Sequence, residues 1–181
     1  MPDASHPTRT LLLDTGLGLA DRASLGGFPI DEVVRAAGVA KGTFYVHFTS
    51  RTAYLEALHE RFHDRLRAAI ERATEGLAPG SEHLRAGTMA YLDGCLTARG
   101  VKAMLASARG EPAIAARVAA SNRRFAAEAE PDFVALGAAR PAERALLFVA
   151  MAAEVALLEL DRGGPAAELR NELCVLAGMT A

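Results

Sequence analysis

The hydrophobic positions of this chain recur at steps of three and four residues, and no alternating run typical of a strand interrupts them. The clearest stripe lies between residues 50 and 75, where Leu55, Leu58, Phe62 and Leu66 would share one helical face. Shorter stripes of the same period fill most of the 181 residues. The pattern predicts an all-α protein.

Glycine and proline residues divide the sequence into predicted helices. The predicted spans are 8–23, 30–37, 41–47, 50–75, 81–98, 101–108, 112–129, 141–161 and 165–177. Pro112, Pro141 and Pro165 are expected in first helical turns, where the missing N–H has no helical partner to lose. Thr49 or Ser50 is the expected N-cap of the long helix that follows.

Residues 30–48, "IDEVVRAAGVAKGTFYVHF", have the layout of a helix-turn-helix, with a short helix, a glycine-containing turn and a second short helix. The side chains expected to pack inward are Val33, Val34, Ala37, Val39, Phe44 and Phe48. The side chains left outside suit phosphates and base edges, and they are Lys41, Thr43, Tyr45 and His47. Gly42 would let the backbone approach DNA closely.

The segment "AAGVAKGTFYVHFTSRTAYLEAL", residues 36–58, resembles the tetracycline-repressor (TetR) family of bacterial regulators. The segment "LLLDTGLGLADR", residues 11–22, is similar to the first helix of that family. The specific resemblance covers about the first 60 residues, and beyond them only size and helical layout match. It implies a three-helix DNA-binding domain over residues 1–50 and a helical ligand-binding and dimerisation domain over residues 51–181.

The resemblance also implies which residues bind DNA, with 41–47 as the recognition helix in the major groove. Nearest the bases would be Lys41, Gly42 and Thr43, and contacting phosphates would be Tyr45, His47 and Arg51. Taken one by one, these residues have plainer interpretations. Tyr45 is also compatible with half-buried packing, His47 with a helix-end cap and Arg51 with a solvated charge.

Three features of the sequence argue against strong DNA binding. Phe28-Pro29 stands where the family has a hydroxyl residue opening the second helix, and Ala40 forgoes an N-cap typically worth about 1 kcal/mol. Residues 1–63 carry six Lys and Arg side chains against seven acids. Since DNA affinity depends heavily on phosphate neutralisation, we expect modest affinity and a shallow dependence of affinity on salt. Arg9 is the only Lys or Arg in the N-terminal arm, so we also expect few minor-groove contacts.

The last two predicted helices are the most apolar and are expected to form the dimer surface. Two helices from each subunit would make a four-helix bundle, as in dimers of the TetR family. The predicted interface residues are Leu146, Val149, Ala153, Leu157, Leu169, Leu173 and Leu176. The alternative is an ordinary core within one chain.

The resemblance further implies that the middle helices enclose a small-molecule pocket. The predicted lining residues are Met89, Leu92, Cys95, Met104, Phe125 and Met151, although such residues at helical spacing are more often simple core. Few charges fall within these stripes, which favours an apolar or aromatic effector. An anionic effector stays open because of Arg99, Arg109, Arg123 and Arg124.

The pentapeptide "HERFH", residues 59–63, matches the H-E-x-x-H zinc-protease pattern. A catalytic zinc needs a third protein ligand, and Leu66 stands where the extended pattern requires glycine. We therefore expect no metal, and instead solvated or interdomain histidines on a connecting helix.

Composition limits the remaining possibilities. A net charge of −2 does not mark the whole chain as a polyanion binder, and Cys95 and Cys174 suit free thiols in a reducing cytoplasm. No secretion signal is recognisable, and the apolar run 145–158 is too short for a membrane span. The sequence predicts a cytoplasmic, homodimeric regulator, most simply a repressor of a near-palindromic operator, with neither cofactor nor enzymatic activity. The alternative is a dimeric small-molecule-binding protein that has lost DNA binding.

Overall fold

The computed structural model describes residues 6–20, 30–98, 102, 110 and 112–179, and these residues form helices without any strand. The helices are α1 (Pro7–Ala20), α2 (Ile30–Ala37), α3 (Lys41–His47), α4 (Arg51–Thr74), α5 (Ser81–Thr97), α6 (Pro112–Ala135), α7 (Pro141–Arg162) and α8 (Ala167–Ala177). The all-α prediction is confirmed. The helix predicted over 101–108 lies almost entirely outside the described residues.

Two helix ends differ from the prediction. Helix α6 continues through Pro131 to Ala135 instead of ending at residue 129. The residues after this proline are anchored in the interior, since Asp132 and Phe133 are both buried, and burial outweighs the local cost of an interior proline. Helix α8 begins at Ala167, so Pro165 precedes its first turn.

The chain folds as two compact units. Unit 1 comprises Met1–Asp64 and Ala98–Arg117, and unit 2 comprises Arg65–Thr97 and Val118–Ala181. The predicted boundary at residue 50 marks the end of the helix-turn-helix, whereas unit 1 continues to Asp64 and takes in a later segment.

The core of unit 1 joins α1 to the helix-turn-helix and to the first part of α4. Its largest buried side chains are Leu12, Phe44, Tyr54, Leu55, Leu58 and Phe62. The hydroxyl of Tyr54 donates to the carbonyl oxygen of Leu12 at 3.0 Å, and Nε of Arg61 lies 3.0 Å from Oδ1 of Asp14. These contacts fix α1 against α4, and the two helices together support the short helices α2 and α3.

Unit 2 packs α5 against α7 and α7 against α8. A buried ion pair links the last two helices, because Glu159 is fully buried and its carboxylate accepts from Nε of Arg170 at 2.6 Å. Among the described residues, no helix is both long and apolar enough to cross a membrane.

Candidate nucleic-acid interface

The turn between α2 and α3 is built as the sequence predicted. Gly38 adopts a φ of 67°, a left-handed conformation that favours glycine. The N–H of Val39 donates to the Val34 carbonyl at 3.0 Å, which closes the end of α2. Ala40 occupies the N-cap position of α3 without a side-chain cap, so the capping bond that its sequence position forgoes is indeed missing.

An aromatic cluster holds α3 in place from below. The ring of Phe44 lies 5.2 Å from that of Phe48 and 5.1 Å from that of Tyr54, and the rings of Phe48 and Tyr54 are 4.9 Å apart. All three side chains are buried. Because Phe44 fixes one face of this seven-residue helix, the opposite face is fixed outward.

Four residues on two consecutive turns of α3 form its outward face, which is exposed to solvent. Lys41 and Gly42 begin the helix, and Tyr45 and Val46 follow one turn later, with Tyr45 48% and Val46 73% exposed. No atom lies within 4 Å of where a Cβ on Gly42 would stand. The face therefore offers a cation, an accessible backbone, a phenol and an apolar side chain to a groove.

The cation on this face already has a partner. Nζ of Lys41 lies 2.8 Å from Oδ1 of Asp31 in the first turn of α2, and both side chains are well exposed. The hydrogen bond and charge of Asp31 raise the pKa of Lys41 above its usual value.

The remaining predicted DNA-binding residues flank this face. Thr43 and His47 are half-buried, and Arg51 is exposed at the start of α4. The Oγ atom of Ser50 accepts the N–H of Ala53 at 3.0 Å, so Ser50 is the cap of α4, one of the two predicted candidates. The six predicted residues thus occupy one continuous segment of unit 1.

His47 is influenced by two residues near the start of α1, namely His6, which precedes the helix, and Arg9 in its first turn. Its ring centroid is 4.7 Å from that of His6, while Arg9 stacks over the ring of Phe48 at 5.2 Å. Burial, together with the charges of His6 and Arg9, lowers the pKa of His47.

Three residues of this region were missed by sequence reasoning. The exposure of Val46 follows from its position two residues after the buried Phe44, and helical spacing alone would have indicated it. The pairing of Asp31 with Lys41 and the approach of His6 to His47 depend on how α1, α2 and α3 pack, which no local pattern specifies.

Unit 2 contains a cavity of about 320 Å³ among α4, α5, α6 and α7. Its main apolar lining residues are Ile70, Leu84, Tyr91, Phe125, Phe148 and Val149. The rings of Tyr91 and Phe125 meet edge to face with centroids 5.9 Å apart. The volume falls near the lower end of small-molecule pockets, roughly 300–1,000 Å³.

Two acids on the cavity wall have partners. Asp132 is 2% exposed, accepts the N–H of Gly80 at 2.8 Å and lies 2.9 Å from Nδ1 of His83. Glu128 pairs with Arg124 at 3.2 Å. Arg67 and Glu71 also line the cavity, so its wall combines apolar, aromatic and charged side chains.

Only part of the predicted pocket lining coincides with this cavity. Phe125 lines it, and Met104 lies outside the described residues. Leu92 and Cys95 are instead fully buried core residues, Met151 is exposed, and the half-buried Met89 is not among the lining residues. Helices α5, α6 and α7, which carry predicted lining residues, border this cavity, and so does α4, which carries none.

The predicted dimer residues divide in the same way. Leu146 and Leu176 are exposed, and Leu157 and Leu169 are half-buried. Ala153 and Leu173 are buried within their own chain, and Val149 lines the cavity. Further exposed apolar residues on α7 and α8, which sequence reasoning did not select, are Leu147, Met151, Leu158 and Val175.

Of the two HERFH histidines, His59 is buried and His63 is half-buried, so the expectation of solvated side chains is wrong for His59. His59 is 2% exposed, and burial lowers its pKa to about 4. Its ring lies 4.2 Å from that of His63. Within the described ranges, no three His, Cys, Asp or Glu side chains come together as metal ligands.

Comparison with known proteins finds similarity in sequence and in fold. Residues 12–58 match the family described as bacterial regulatory proteins, tetR family. The chain is 33% identical over 107 residues to the HTH-type transcriptional repressor NemR of Escherichia coli K12, covering 52% of each protein. It is 38% identical over 93 residues to the repressor LfrR of Mycolicibacterium smegmatis, covering 50% of this chain and 47% of that one.

The chain thus spans about half the length of the repressors that it matches in sequence. The fold similarity extends further. A transcriptional regulator from Rhodococcus sp. Rha1 superposes with a TM-score of 0.80 over 94% of both chains, at 21% identity. The helix-turn-helix match is therefore specific in sequence, whereas unit 2 is matched by fold.

Proposed function

We propose that the chain is a dimeric repressor of the TetR family, released from its operator by a small, apolar or aromatic molecule. The observation that carries this proposal is the outward face of α3. Phe44 locks the helix onto the core from one side, and Lys41, Gly42, Tyr45 and Val46 stand on the other. Repression is also the role named for the relatives NemR and LfrR.

In the proposed complex α3 lies in the major groove. Lys41, Gly42 and Thr43 approach base edges, while the apolar Val46 suits the methyl group of thymine. Tyr45, His47 and Arg51 contact phosphates, which fixes the register of the helix on the duplex. A cytoplasmic location follows from this role.

One short recognition helix binds DNA only weakly, so we propose that the chain acts as a dimer with twofold symmetry. Helix-turn-helix dimers place their recognition helices about 34–36 Å apart on successive major grooves. The exposed apolar residues of α7 and α8 support a bundle of two helices from each subunit. The residues proposed to form it are Leu146, Leu147, Met151, Leu158, Val175 and Leu176.

The cavity of unit 2 supports the effector half of the proposal. Its apolar and aromatic wall suits a compact ring compound that makes one or two hydrogen bonds. Such a ligand shifts the regulator away from DNA only if it binds the released state more tightly than the bound state.

The DNA-binding part is tested by selecting duplexes from a random pool and by gel shift with the DNA that flanks the chain's own gene. We expect enrichment of a near-palindrome and a shifted complex containing two chains. Failure to enrich any sequence would contradict the proposal.

The effector part is tested with a cavity-filling variant. In Ala129→Phe the new ring would occupy the cavity, whereas Ala127→Phe adds the same ring at an exposed position of α6 that does not line it. A panel of small aromatic compounds should release DNA from the wild type and from Ala127→Phe but not from Ala129→Phe. Equal release from both variants would place the effector elsewhere.

One observation favours a second candidate, a ligand-binding protein of the same fold that has lost DNA binding. Lys41 is held by Asp31, and seven acids outnumber six Lys and Arg side chains in residues 1–63. This candidate predicts effector binding with no enriched DNA sequence, so the random-pool selection separates the two.

A further inference from the structure

His83 of α5 lines the cavity of unit 2 and is held by a buried acid of α6. Its Nδ1 atom lies 2.9 Å from Oδ1 and 3.1 Å from Oδ2 of Asp132, whose side chain is 2% exposed. An ionised carboxylate accepts hydrogen bonds and donates none, so Nδ1 carries the proton of this contact. Among the described residues Asp132 is the hydrogen-bond partner of His83, and it occupies Nδ1 alone. In its neutral form His83 therefore has Nε2 as an acceptor for a ligand.

Two threonine hydroxyls of the cavity wall have already used their protons. Oγ1 of Thr88 donates to the Leu84 carbonyl at 2.6 Å, and Oγ1 of Thr74 donates to the Ile70 carbonyl at 3.0 Å. A hydroxyl has one proton and two lone pairs, so towards a ligand both oxygens are acceptors. The wall thus offers two acceptors besides that of His83.

Acids outnumber permanent cations on the same wall. Glu71, Glu128 and Asp132 line the cavity. Among the described residues that line it, Arg67 is the one Lys or Arg side chain. A carboxylate ligand would meet this excess of negative charge, whereas a ligand that donates hydrogen bonds would find acceptors.

The apolar part of the wall suits a flat ring. The rings of Tyr91 and Phe125 meet edge to face, with centroids 5.9 Å apart. Phe148 also lines the cavity, and its ring meets that of Phe133 edge to face at 5.5 Å. Aromatic rings favour edge-to-face or offset contact with a further ring. A ring with a donor on its edge therefore matches both the apolar and the polar side of the cavity.

We propose that the effector of this chain is an aromatic compound that carries an O–H or N–H donor on its ring, and that this donor binds Nε2 of His83. The ring packs beside Tyr91 and Phe125. Asp132 is a positioning residue, because its hydrogen bond fixes the proton of His83 on Nδ1. The proposal rests on the ligand-released repressor proposed above and names the chemical class of its effector.

The test is direct binding of naphthalene probes to the full chain at about pH 8, on the alkaline side of the ordinary histidine range. Two probes, 1-naphthol and 1-aminonaphthalene, carry a donor, whereas 1-methoxynaphthalene carries none and 1-naphthoate is an anion. The chain has no tryptophan, so probe fluorescence is measured without that background. We expect both donor probes to bind about two- to tenfold more tightly than 1-methoxynaphthalene, the scale of one net hydrogen bond. The anion 1-naphthoate should bind most weakly, and the tighter of the two donor probes identifies the preferred donor.

Two amide variants separate the acceptor of His83 from its bond to Asp132. The short amide of His83→Asn reaches the position of Nδ1 and still donates to Asp132, but it leaves no acceptor at the position of Nε2. The longer amide of His83→Gln places an acceptor near that position. We expect His83→Asn to lose the preference for 1-naphthol over 1-methoxynaphthalene and His83→Gln to keep part of it. The control is His6→Asn, the same change at an exposed histidine of unit 1, which should bind every probe like the wild type.

Equal affinity of the wild type for 1-naphthol and 1-methoxynaphthalene would overturn the proposal, and so would tighter binding of 1-naphthoate or no binding of any probe. Retention of the full preference by His83→Asn would overturn the role of His83. Unchanged binding of 1-naphthol to Ala129→Phe would overturn the location in the cavity. The comparison of probes on the wild type decides the proposal even where a variant does not fold.

The binding assay contains no DNA, so its outcome is separate from that of the repressor function. A wrong effector class leaves the gel shift of the ligand-free wild type unchanged. A wrong repressor function is seen instead as the absence of a shifted complex, whatever the probes do.

Discussion

The Nζ atom of Lys41 lies 2.8 Å from Oδ1 of Asp31, so the first cation of the proposed recognition helix is held by an acid of the preceding helix. A DNA phosphate must compete with this carboxylate for the ammonium group. Asp31 should therefore weaken DNA binding, even though it lies on α2, the helix that packs against the proposed recognition helix α3.

Asp31→Asn should strengthen DNA binding by roughly two- to fivefold, the scale of an exposed ion pair. It should also steepen the dependence of log affinity on log salt, by up to about 0.9 for one more phosphate neutralised. Anisotropy titrations over a range of salt concentrations measure both quantities. In a Lys41→Ala background the same substitution should gain less, and an equal gain there would contradict competition for Lys41.

Gly16 of α1 is pressed against Tyr54 of α4. A Cβ at this position would collide with the Tyr54 hydroxyl, which is itself bonded to the Leu12 carbonyl. Gly16→Ala should lower the free energy of unfolding by about 1–3 kcal/mol, as overpacking typically does. Denaturant unfolding measures the change.

Gly18 provides the matched control on the same helix. No atom lies within 4 Å of a Cβ placed there, so Gly18→Ala should be neutral or stabilise by up to about 1 kcal/mol through helix propensity. Adding Tyr54→Phe to Gly16→Ala should relieve part of the collision. A similar loss of stability for both alanine variants would show that crowding by Tyr54 is not the cause.

His59 should make stability depend on pH. Its pKa falls from the ordinary 6.5 to about 4, because burial and the charges of Arg117 and Lys102 disfavour its protonated form. The unfolded chain therefore binds a proton first as pH falls below about 6.5, and stability should decrease down to about pH 4, by at most about 2–3 kcal/mol.

The measurement is the free energy of unfolding at several pH values for the wild type and for His59→Gln. The difference between the two should shrink on the acidic side, since the variant has no proton to gain at this position. A difference that stays constant from about pH 7 to pH 4 would contradict a buried neutral His59.

Removing only one partner of the ion pair between Glu159 and Arg170 should strongly destabilise the protein. Arg170 donates to both oxygens of the fully buried Glu159 and also to Asp93 at 2.7 Å. Burial alone would raise the pKa of Glu159, but the bonds from Arg170 and from the Ala166 N–H lower it. Arg170→Met would leave a buried carboxylate unpaired, at a cost of about 3–5 kcal/mol.

Replacing both partners tests this interpretation. Glu159→Leu combined with Arg170→Met should be more stable than Arg170→Met alone, because no buried charge is left without a partner. Urea unfolding of the two single variants and the double variant gives the coupling energy. A double variant no more stable than Arg170→Met would contradict the account.

The sequence predicted the helices well because their signals are local. The inward packing of Phe44 and Phe48 follows from helical period, and the turn at Gly38 from its permissive backbone. Pro131 shows the limit of such signals, since α6 continues past it where Asp132 and Phe133 are buried.

The faces of the long helices were harder to predict. Around Ala145–Ala156 of α7, every side chain except Glu154 is apolar, so period alone does not show that Val149 faces a cavity, Ala153 the core and Leu147 solvent. The same holds for Leu92 and Cys95 on α5. Pairings between distant segments, such as His6 with His47, depend on packing that arises only in the folded chain.

The most direct test of the central claim, that α3 reads a DNA groove, is the affinity of Lys41→Ala and Tyr45→Ala for the duplex enriched from the random pool. Arg72→Ala, which removes one exposed cation from unit 2, is the control. The account predicts that both α3 variants bind at least about tenfold more weakly, within the range of good groove contacts, while Arg72→Ala binds like the wild type. Unchanged affinity in both α3 variants would contradict it.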